Sequence, residues 1–332
     1  MANLMQAVQY SSYGGGASAL KHVELPVPKP SKDEVLVKVE AASVNPVDWK
    51  IQAGVMRFLL PAKFPCTPGT DIAGEVVGLG PGVTTFAVGD KVSSWLGLKK
   101  GGSLAEYAVA PITSTVKRPE GVSARDGASL GVAGSTALQA LRDLVGWKFD
   151  GSQQTQKNLL ITAASGGVGT YAVQLAKLEG AHVTATCGAR NVDLIRSLGA
   201  DEVLDYNTPE GKQLKSPSGK KYDAVFHCAH YQPFSYFKPQ LTPDGKVLDL
   251  TPSGNLLLSM AAQRLTFAKQ KFVTFLTPPN VDALNLLTNF TKEGKLKAVV
   301  DSTYPLSRAE DAWARSIDGH ATGKIIVTVV GE

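Results

Sequence analysis

The stretch Ala163–Gly169 carries the residue types that point most directly to chemistry. Its sequence, Ala-Ala-Ser-Gly-Gly-Val-Gly, follows an apolar run of strand type at 159–162 and precedes helical apolar spacing that starts at Thr170. Such a turn lets the backbone approach a pyrophosphate, and the following helix N-terminus offers free N–H groups and a positive dipole end. Ala164 replaces the first glycine of G-x-G-x-x-G, but the strand–turn–helix context strengthens the match. The stretch predicts a dinucleotide-binding turn formed by Ser165, Gly166, Gly167 and Val168.

The end of the next predicted strand indicates which dinucleotide is bound. An NAD site places a carboxylate there to accept a hydrogen bond from the ribose 2′-OH, but the sequence from Thr184 to Arg190 contains none. The guanidinium of Arg190, close to Gly188, can instead pair with a 2′-phosphate. NADPH is therefore the predicted cofactor. The alternative is that Arg190 only begins the next helix in solvent.

Two kinds of secondary structure must position these residues. Residues 1 to about 125 contain short strands separated by Gly/Pro turns, which is typical of a partly open β-barrel. After that, strands and helices alternate, which predicts an α/β domain with a doubly wound parallel sheet. Its predicted strands are 158–162, 181–187, 202–204, 222–228 and 245–250, and its helices 169–179, 191–198 and 232–239. We also expect helices at 281–294 and 308–317, and a last strand from residue 324 that returns to the first domain.

Composition narrows the class of protein. The chain has 332 residues, of which 43% are hydrophobic and 19% charged, and a net charge of +5. This is ordinary globular composition with room for two domains. Three scattered cysteines do not form a disulfide framework, and no apolar run reaches the roughly 18 residues that span a bilayer. We expect no cleavable targeting segment, no nucleic-acid partner and at most a peripheral membrane contact.

Motifs spread over nearly the whole sequence carry a family resemblance. In order they are Asn45–Asp48, Pro68–Val76, Gly89–Asp90, Ala105–Tyr107, Ala133–Leu141, Ala163–Gly169 and Leu198–Tyr206. In these motifs the chain resembles the zinc-independent quinone oxidoreductases of the medium-chain dehydrogenase/reductase superfamily. Three further segments resemble the plant chloroplast envelope members of that family: Ala185–Asn191, Lys215–Val225 and Ser316–Val327. The resemblance implies a GroES-like catalytic domain (1–128), a Rossmann NADP-binding domain (129–275) and a C-terminal return to the catalytic domain (276–332).

The same resemblance implies which residues form the site. The segment Asn45–Lys50 is expected to line the cleft beside the nicotinamide, with Lys50 touching the cofactor. The amide of Asn45 and the ammonium of Lys50 can donate to a carbonyl oxygen as it becomes an enolate. For Asn45 the alternative is a plain Asn-Pro turn, and Asp48 is expected to cap the helix that follows. Further cofactor contacts are expected at Thr136, Tyr206, Leu250, Thr251 and Lys324, and pocket walls at Trp95 and Phe272, with helix capping the alternative for Thr136 and core packing for the two aromatic residues.

Metal ligands are not expected. Zinc-dependent alcohol dehydrogenases place a cysteine and a His-Glu pair where this chain has Asn45 and Thr70-Asp71. Threonine is a poor zinc ligand, and a neutral asparagine is weaker than thiolate or imidazole. His227-Cys228-x-His230 has metal-like spacing, but its place at a strand end favours packing.

The sequence leads to one function and two alternatives. We expect an NADPH-dependent reductase of the C=C bond of α,β-unsaturated carbonyl compounds, such as oxylipins or terpenoid enones, that transfers hydride to the β-carbon without a metal. The alternatives are an NADPH quinone reductase and a mainly non-catalytic NADPH-binding scaffold or peripheral membrane protein. By resemblance the protein is a homodimer attached peripherally to the chloroplast envelope; the residues alone indicate a cytoplasmic alternative.

Overall fold

The computed structural model describes residues 3–152, 155–250 and 269–329. The chain divides into two compact units, which we call unit 1 (Met1–Ser135 and Pro278–Glu332) and unit 2 (Thr136–Thr277). The domain borders inferred by resemblance, after residues 128 and 275, stay predictions.

The elements of the described chain are numbered in chain order. The strands are β1 Leu4–Gln9, β2 Lys21–Pro26, β3 Glu34–Val44, β4 Asp71–Leu79, β5 Lys91–Trp95, β6 Tyr107–Pro111, β7 Thr115–Lys117, β8 Asn158–Ile161, β9 His182–Cys187, β10 Glu202–Asp205, β11 Tyr222–His227, β12 Leu241–Asp249, β13 Lys271–Thr274, β14 Val300–Pro305 and β15 Lys324–Thr328. The helices are α1 Pro46–Gln52, α2 Ala124–Ser129, α3 Ser135–Gln139, α4 Gly167–Leu178, α5 Val192–Ser197, α6 Pro209–Lys212, α7 Phe234–Phe237, α8 Val281–Lys292 and α9 Ala309–Ile317, with π-helical turns at Leu130–Gly134 and Ala140–Val145.

Unit 1 is built on a mostly antiparallel sheet. Its strand order is β14-β15-β3-β4-β5-β7, and β6 pairs with β3 as well. Strand β3 is long because Val35, Val37 and Val39 alternate with less buried residues, as expected for a strand with one face in the core. Strand β15 pairs antiparallel with β3, opposite Ala41–Val44, so the C-terminal strand completes the sheet of this unit.

Unit 2 is built on a parallel sheet with the order β10-β9-β8-β11-β12-β13. Chain order reverses between β8 and β11, and ligands of open α/β sheets bind outside the carboxyl ends of the strands at such a point. The glycine-rich turn follows β8 and therefore lies there. The predicted combination of a GroES-like β domain with a Rossmann sheet is confirmed.

Some predicted elements differ in length. The helix expected over 232–239 is α7, which spans only Phe234–Phe237 and continues as a 3₁₀ turn at Lys238–Gln240. Pro239 lies in that turn, and a proline lacks the N–H that a longer α-helix would need. The strand expected over 245–250 begins earlier, at Leu241, and its pairing with β11 contains a register shift. Among the described residues, no helix combines the length and apolar character needed to cross a bilayer.

Candidate active site

The turn between β8 and α4 packs tightly against backbone atoms of β9 and of the turn itself. Ala163 has a positive φ of 48°, and the N–H of Ala164 donates to the carbonyl oxygen of Thr186 over 2.8 Å. A Cβ on Gly169 would lie 2.5 Å from the Ala163 oxygen and 2.6 Å from the Ala164 Cα, so only glycine fits there. The first turn of α4 therefore packs directly against the turn. Its leading N–H groups, at Gly167 and Val168, have no acceptor within the helix and suit a bound phosphate.

The carboxyl ends of β9 and β10 bring three predicted cofactor residues together. A Cβ built on Gly188 would lie 3.2 Å from the Tyr206 hydroxyl. Tyr206 is half exposed, and Arg190 is exposed in the 3₁₀ turn Ala189–Asn191. The nearby carboxylate of Asp205 accepts hydrogen bonds from both the backbone and the side chain of Asn207. The surface offers a cation and a hydroxyl beside the end of β9, which carries no acid, and this suits a 2′-phosphate.

The His227 cluster in unit 2 is a packing arrangement. Its Nδ1 lies 2.8 Å from the Thr162 hydroxyl oxygen, and its Nε2 lies 2.9 Å from the His230 carbonyl oxygen. Both ring nitrogens are thus used by protein groups. Within the described ranges, no group of three or more His, Cys, Asp or Glu side chains is arranged to hold a metal ion. The N–H of Leu250 donates to the His227 carbonyl oxygen over 3.1 Å, which places this predicted cofactor residue at the same sheet edge, whereas Thr251 lies outside the described residues.

Unit 1 contains a buried polar network around Lys324. The ammonium donates to Asn45 Oδ1 and lies 3.8 Å from a carboxylate oxygen of Asp71. Asn45 Nδ2 donates to the same carboxylate over 2.9 Å, and so does the hydroxyl of Ser43. The other Asp71 oxygen accepts the N–H of Val132 at 2.9 Å. Strands β3, β4 and β15 and the π-helical turn at Leu130–Gly134 therefore each supply a partner.

A second carboxyl, Asp48, lies at the start of α1 beside this network. Its Oδ2 accepts the N–H of Asn45 at 2.7 Å, so the helix-capping role expected for Asp48 is confirmed. Its Oδ1 lies 3.2 Å from the hydroxyl of Thr70. Asp48 is only 3% exposed.

The ionisable groups of the network differ in whether an opposite charge lies beside them. Burial raises the pKa of Asp71 and lowers the pKa of Lys324, while their opposite charges act against both shifts. Among the described residues, Asp48 has no hydrogen-bonded cation, since its two oxygens face an amide N–H and a hydroxyl. Burial raises the pKa of Asp48 to about 7, and the nearby Asp71 charge adds to that shift. Asp48 is therefore the carboxyl of the network that exchanges its proton near neutral pH.

These residues do not fit a zinc ion. Asn45, Thr70 and Asp71 stand where zinc-dependent enzymes carry their ligands, but none of them offers a thiolate or an imidazole. The Asn45 amide oxygen already faces the ammonium of Lys324, and the Thr70 hydroxyl faces Asp48. The ammonium of Lys324 lies beside two of the three side chains, Asn45 and Asp71.

Lys50 differs from Lys324 in having an uncommitted ammonium. It lies in α1, and partial burial lowers its pKa. Within the part of the chain that the structure describes, the ammonium forms no hydrogen bond or ion pair, and its contact is with the Trp49 ring, whose centroid is 5.7 Å away. Such an ammonium is available to an acceptor on a ligand.

A cavity of about 630 Å³ opens within unit 1. Asp48 and Thr70 lie in its wall, which is otherwise largely apolar around Ile51, Leu60 and Leu98. Lys63, Lys99 and Lys100 also line it, and Lys100 forms an ion pair with Glu34. The cavity therefore combines an apolar wall with a carboxyl and a hydroxyl, which is the usual character of a small-molecule site.

The remaining predicted site residues lie elsewhere. Trp95 is 2% exposed in β5 beside Gly131 and is not among the residues that line the cavity. Thr136 is buried in α3. Phe272 is half-buried in β13, with its ring centroid 5.7 Å from that of Phe234. The site roles assigned to these and the other predicted residues stay predictions.

Sequence reasoning missed the pairing of Asp48 with Thr70 and the burial of the Lys324 ammonium. Asp48 was recognisable only as a cap, because its spacing from Asn45 is a local signal. Thr70 is 22 residues and Lys324 279 residues away from its partner, and no local pattern reports contacts at such separations.

Comparisons with known proteins agree with this architecture. Residues 31–120 match the family described as the alcohol dehydrogenase GroES-like domain, and residues 198–327 match the family described as zinc-binding dehydrogenase. The chain is 60% identical to a chloroplast envelope quinone oxidoreductase homolog of Arabidopsis thaliana over 98% of each chain. It is 32% identical to the NADPH-dependent alkenal/one oxidoreductase, chloroplastic, of the same plant, over 97% of this chain and 79% of the relative. The quinone oxidoreductase structure from Coxiella burnetii superimposes with a TM-score of 0.86 at 29% identity, covering 99% of this chain and 100% of that one.

Proposed function

Because the chain belongs to the medium-chain dehydrogenase/reductase superfamily, as a homolog of its quinone oxidoreductases, we propose that it is an NADPH-dependent reductase of the C=C bond of α,β-unsaturated carbonyl compounds. The coarser activity, that of an NAD(P)H oxidoreductase acting on a small molecule, follows from the family. The choice of an enone as substrate is the proposal.

One observation carries this proposal. Two of the three positions that hold a catalytic metal in zinc-dependent relatives, Asn45 and Asp71, lie beside the ammonium of Lys324 here, in a donor set unsuited to zinc. Carbonyl reduction relies on strong activation of the oxygen, whereas conjugate reduction places the hydride on carbon and needs only moderate stabilisation of the oxygen. The half-buried ammonium of Lys50 would supply stabilisation of that size.

Residues of unit 2 would hold the phosphate groups of the cofactor. In unit 2, the first turn of α4 and the Ser165–Val168 backbone would bind the pyrophosphate, and Arg190 and Tyr206 would bind the 2′-phosphate that distinguishes NADPH from NADH. Gly188 leaves room beside the Tyr206 hydroxyl. When bound, NADPH supplies a hydride. Thr136, Leu250, Thr251 and Lys324 stay proposed cofactor contacts, and Trp95 and Phe272 proposed pocket walls.

The residues of α1 would act on the substrate. Lys50 would donate a hydrogen bond to the carbonyl oxygen, where negative charge develops as the β-carbon is reduced. Asn45 is proposed as a second donor, but its Nδ2 already donates to Asp71. Asn45 therefore contributes mainly by fixing the start of the helix that carries Lys50.

Quinone reduction is the second candidate, and the name of the 60% identical Arabidopsis relative favours it. The two functions are separated by following NADPH oxidation with a panel of enones, matched saturated aldehydes and quinones. The proposal expects turnover of medium-chain or long-chain enones and none of the saturated aldehydes. Consumption of NADPH with saturated aldehydes but with no enone would falsify it, and turnover of quinones alone would favour the second candidate. Tight NADPH binding without any turnover would point to a scaffold role.

The cellular setting is proposed on the same basis. The name of that relative places it at the chloroplast envelope, and we propose a chloroplast location with peripheral attachment to the envelope. A homodimer is proposed from the family. Fractionation of intact chloroplasts, with and without a carbonate wash, tests the attachment, and light scattering tests the dimer.

A further inference from the structure

We infer that Asp48, acting through the hydroxyl of Thr70, delivers the proton that completes reduction at the α-carbon of the substrate. This inference rests on the proposed function, which leaves that proton without a source. It assigns Thr70 as the group that touches the substrate and Asp48 as the acid behind it.

Asp48 and Thr70 lie together at the cavity. Asp48 and Thr70 both line the cavity of unit 1, although each side chain is almost completely buried. The Asp48 Oδ1 and the Thr70 Oγ1 lie 3.2 Å apart. When Asp48 is protonated, its O–H can donate to Thr70 Oγ1, which leaves the Thr70 hydroxyl hydrogen free to turn into the cavity.

The charges around Asp48 favour its protonated form. The ionisable groups that face Asp48 are Asp71 from β4, Lys324 from β15 and Tyr10 just after β1. Lys324 and Asp71 form an ion pair, and Tyr10 is neutral because burial raises its pKa. Ionised Asp48 would therefore add an uncompensated negative charge to a buried site, which a low-dielectric environment opposes. Asp48 is the group of this network that keeps a proton near neutral pH and can release it.

A backbone hydrogen bond orients the Asp48 carboxyl. Its second oxygen, Oδ2, accepts the N–H of Asn45 at 2.7 Å, at the start of α1. This bond fixes the carboxyl plane, so the oxygen facing Thr70 keeps its direction. The lysines at the cavity wall, Lys63, Lys99 and Lys100, form no hydrogen bond to Asp48, whose two oxygens face the Asn45 N–H and the Thr70 hydroxyl.

The proton transfer balances as follows. The Thr70 O–H bond breaks and its proton forms the new C–H bond at the α-carbon, with the electron pair supplied by the enolate. The proton of Asp48 moves to Thr70 Oγ1, and the Asp48 carboxylate then takes a proton from water. Together with the hydride, this adds two hydrogens across the C=C bond and needs no further reductant.

The test uses Asp48→Asn, whose amide can still accept from the Asn45 N–H and donate to Thr70. We expect kcat for enones to fall by about 100-fold with little change in KM, because general acids contribute about that much or more. Wild-type kcat should be highest at low pH and fall as pH rises through about 7, when Asp48 loses its proton, whereas kcat of the variant should not show that fall. Thr70→Val should behave like Asp48→Asn, and Thr70→Ser should recover most of the rate. Thr288→Val, at a buried hydroxyl of α8 outside the cavity, is the matched control.

Two further readouts separate this role from a structural one. With an α-methyl enone in D₂O, the wild type should deuterate one face of the α-carbon, and Asp48→Asn both faces. Infrared difference spectra should show a protonated carboxyl at about pH 5 that is absent in Asp48→Asn and is lost by about pH 9. Unchanged kcat and stereochemistry in an enone-active Asp48→Asn variant, or an ionised Asp48 at about pH 5, would overturn the donor role alone. A wild type that reduces no enone would instead remove the proposed function and this role with it.

Discussion

The two lysines of unit 1 with predicted site roles, Lys324 and Lys50, have opposite surroundings. Lys324 in β15 is 3% exposed, and its ammonium is held by Asn45 and Asp71. Lys50 in α1 is half-buried, and its ammonium forms no hydrogen bond or ion pair in the described part of the chain. Burial lowers the pKa of both.

The difference separates a charge that serves the fold from one that serves a ligand. Pairing offsets much of the free-energy cost of burying a cation. Removing the cation leaves the charge of its partner buried and uncompensated. A half-buried cation without a partner has already lost part of its hydration and gains most when an acceptor arrives. We therefore expect Lys324 to control stability and Lys50 to control turnover.

The largest expected effect follows from Lys324→Met. The substitution leaves the Asp71 carboxylate buried without a counter-charge, which costs about 3–5 kcal/mol of the free energy of unfolding. Chemical denaturation measures it. The double variant Asp71→Asn with Lys324→Met should recover most of the loss, because no charge is then left unpaired. A single variant as stable as the wild type would contradict the assignment of Lys324 as a structural cation.

Lys50→Met should give the reverse result. The variant retains the shape of the side chain but not the donor, so we expect kcat/KM for the enone to fall roughly 10- to 100-fold. Because no hydrogen-bond or ion-pair partner among the described residues is lost, the free energy of unfolding should stay within about 0.5 kcal/mol of the wild type. Steady-state kinetics and denaturation of the same preparation check both parts. A variant that is destabilised but fully active would reverse the comparison between the two lysines.

A smaller effect is expected at Arg190, an exposed cation of unit 2. Arg190→Ala removes the proposed partner of the 2′-phosphate, so the Kd for NADPH should rise about tenfold, as expected for a charge-assisted hydrogen bond. The Kd for NADH, which lacks that phosphate, should not change. Arg196→Ala, at an exposed arginine of α5 that pairs with Asp193, is the control. Equal weakening of both cofactors would mean that Arg190 does not select between them. Isothermal titration calorimetry with each cofactor makes the measurement.

Much of unit 2 could be predicted from local sequence. The turn Ala163–Gly169 could be recognised from residue types that suit close backbone approach. In the structure, Gly169 has no room for a Cβ. The apolar run at 159–162 located β8, and the alternation of strands with helices located β9 and β11. The shortened α7 was not predicted, because its end depends on a single proline and on packing.

The polar interior of unit 1 could be predicted only in part. The motif around Asn45 and Thr70-Asp71 excluded a good zinc site from residue types alone, and the cap formed by Asp48 followed from its spacing. The partners of those residues come from β15 and from the π-helical turn at Leu130–Gly134. Nothing in a local window indicates that Lys324, in an apolar strand close to the C-terminus, meets Asn45.

The sequence by itself determined the two kinds of domain, the glycine-rich turn between β8 and α4 and the lack of thiolate or imidazole at the usual zinc positions, because these depend on residue type and short spacing. Only the tertiary structure decided which charges are paired. It set Lys324 against Asp71, left the Lys50 ammonium uncommitted within the described residues and placed the buried Asp48 carboxyl beside Thr70. The physical reason is that the cost of a charge depends on what surrounds it in space, and in this protein those surroundings are assembled from segments up to 279 residues apart.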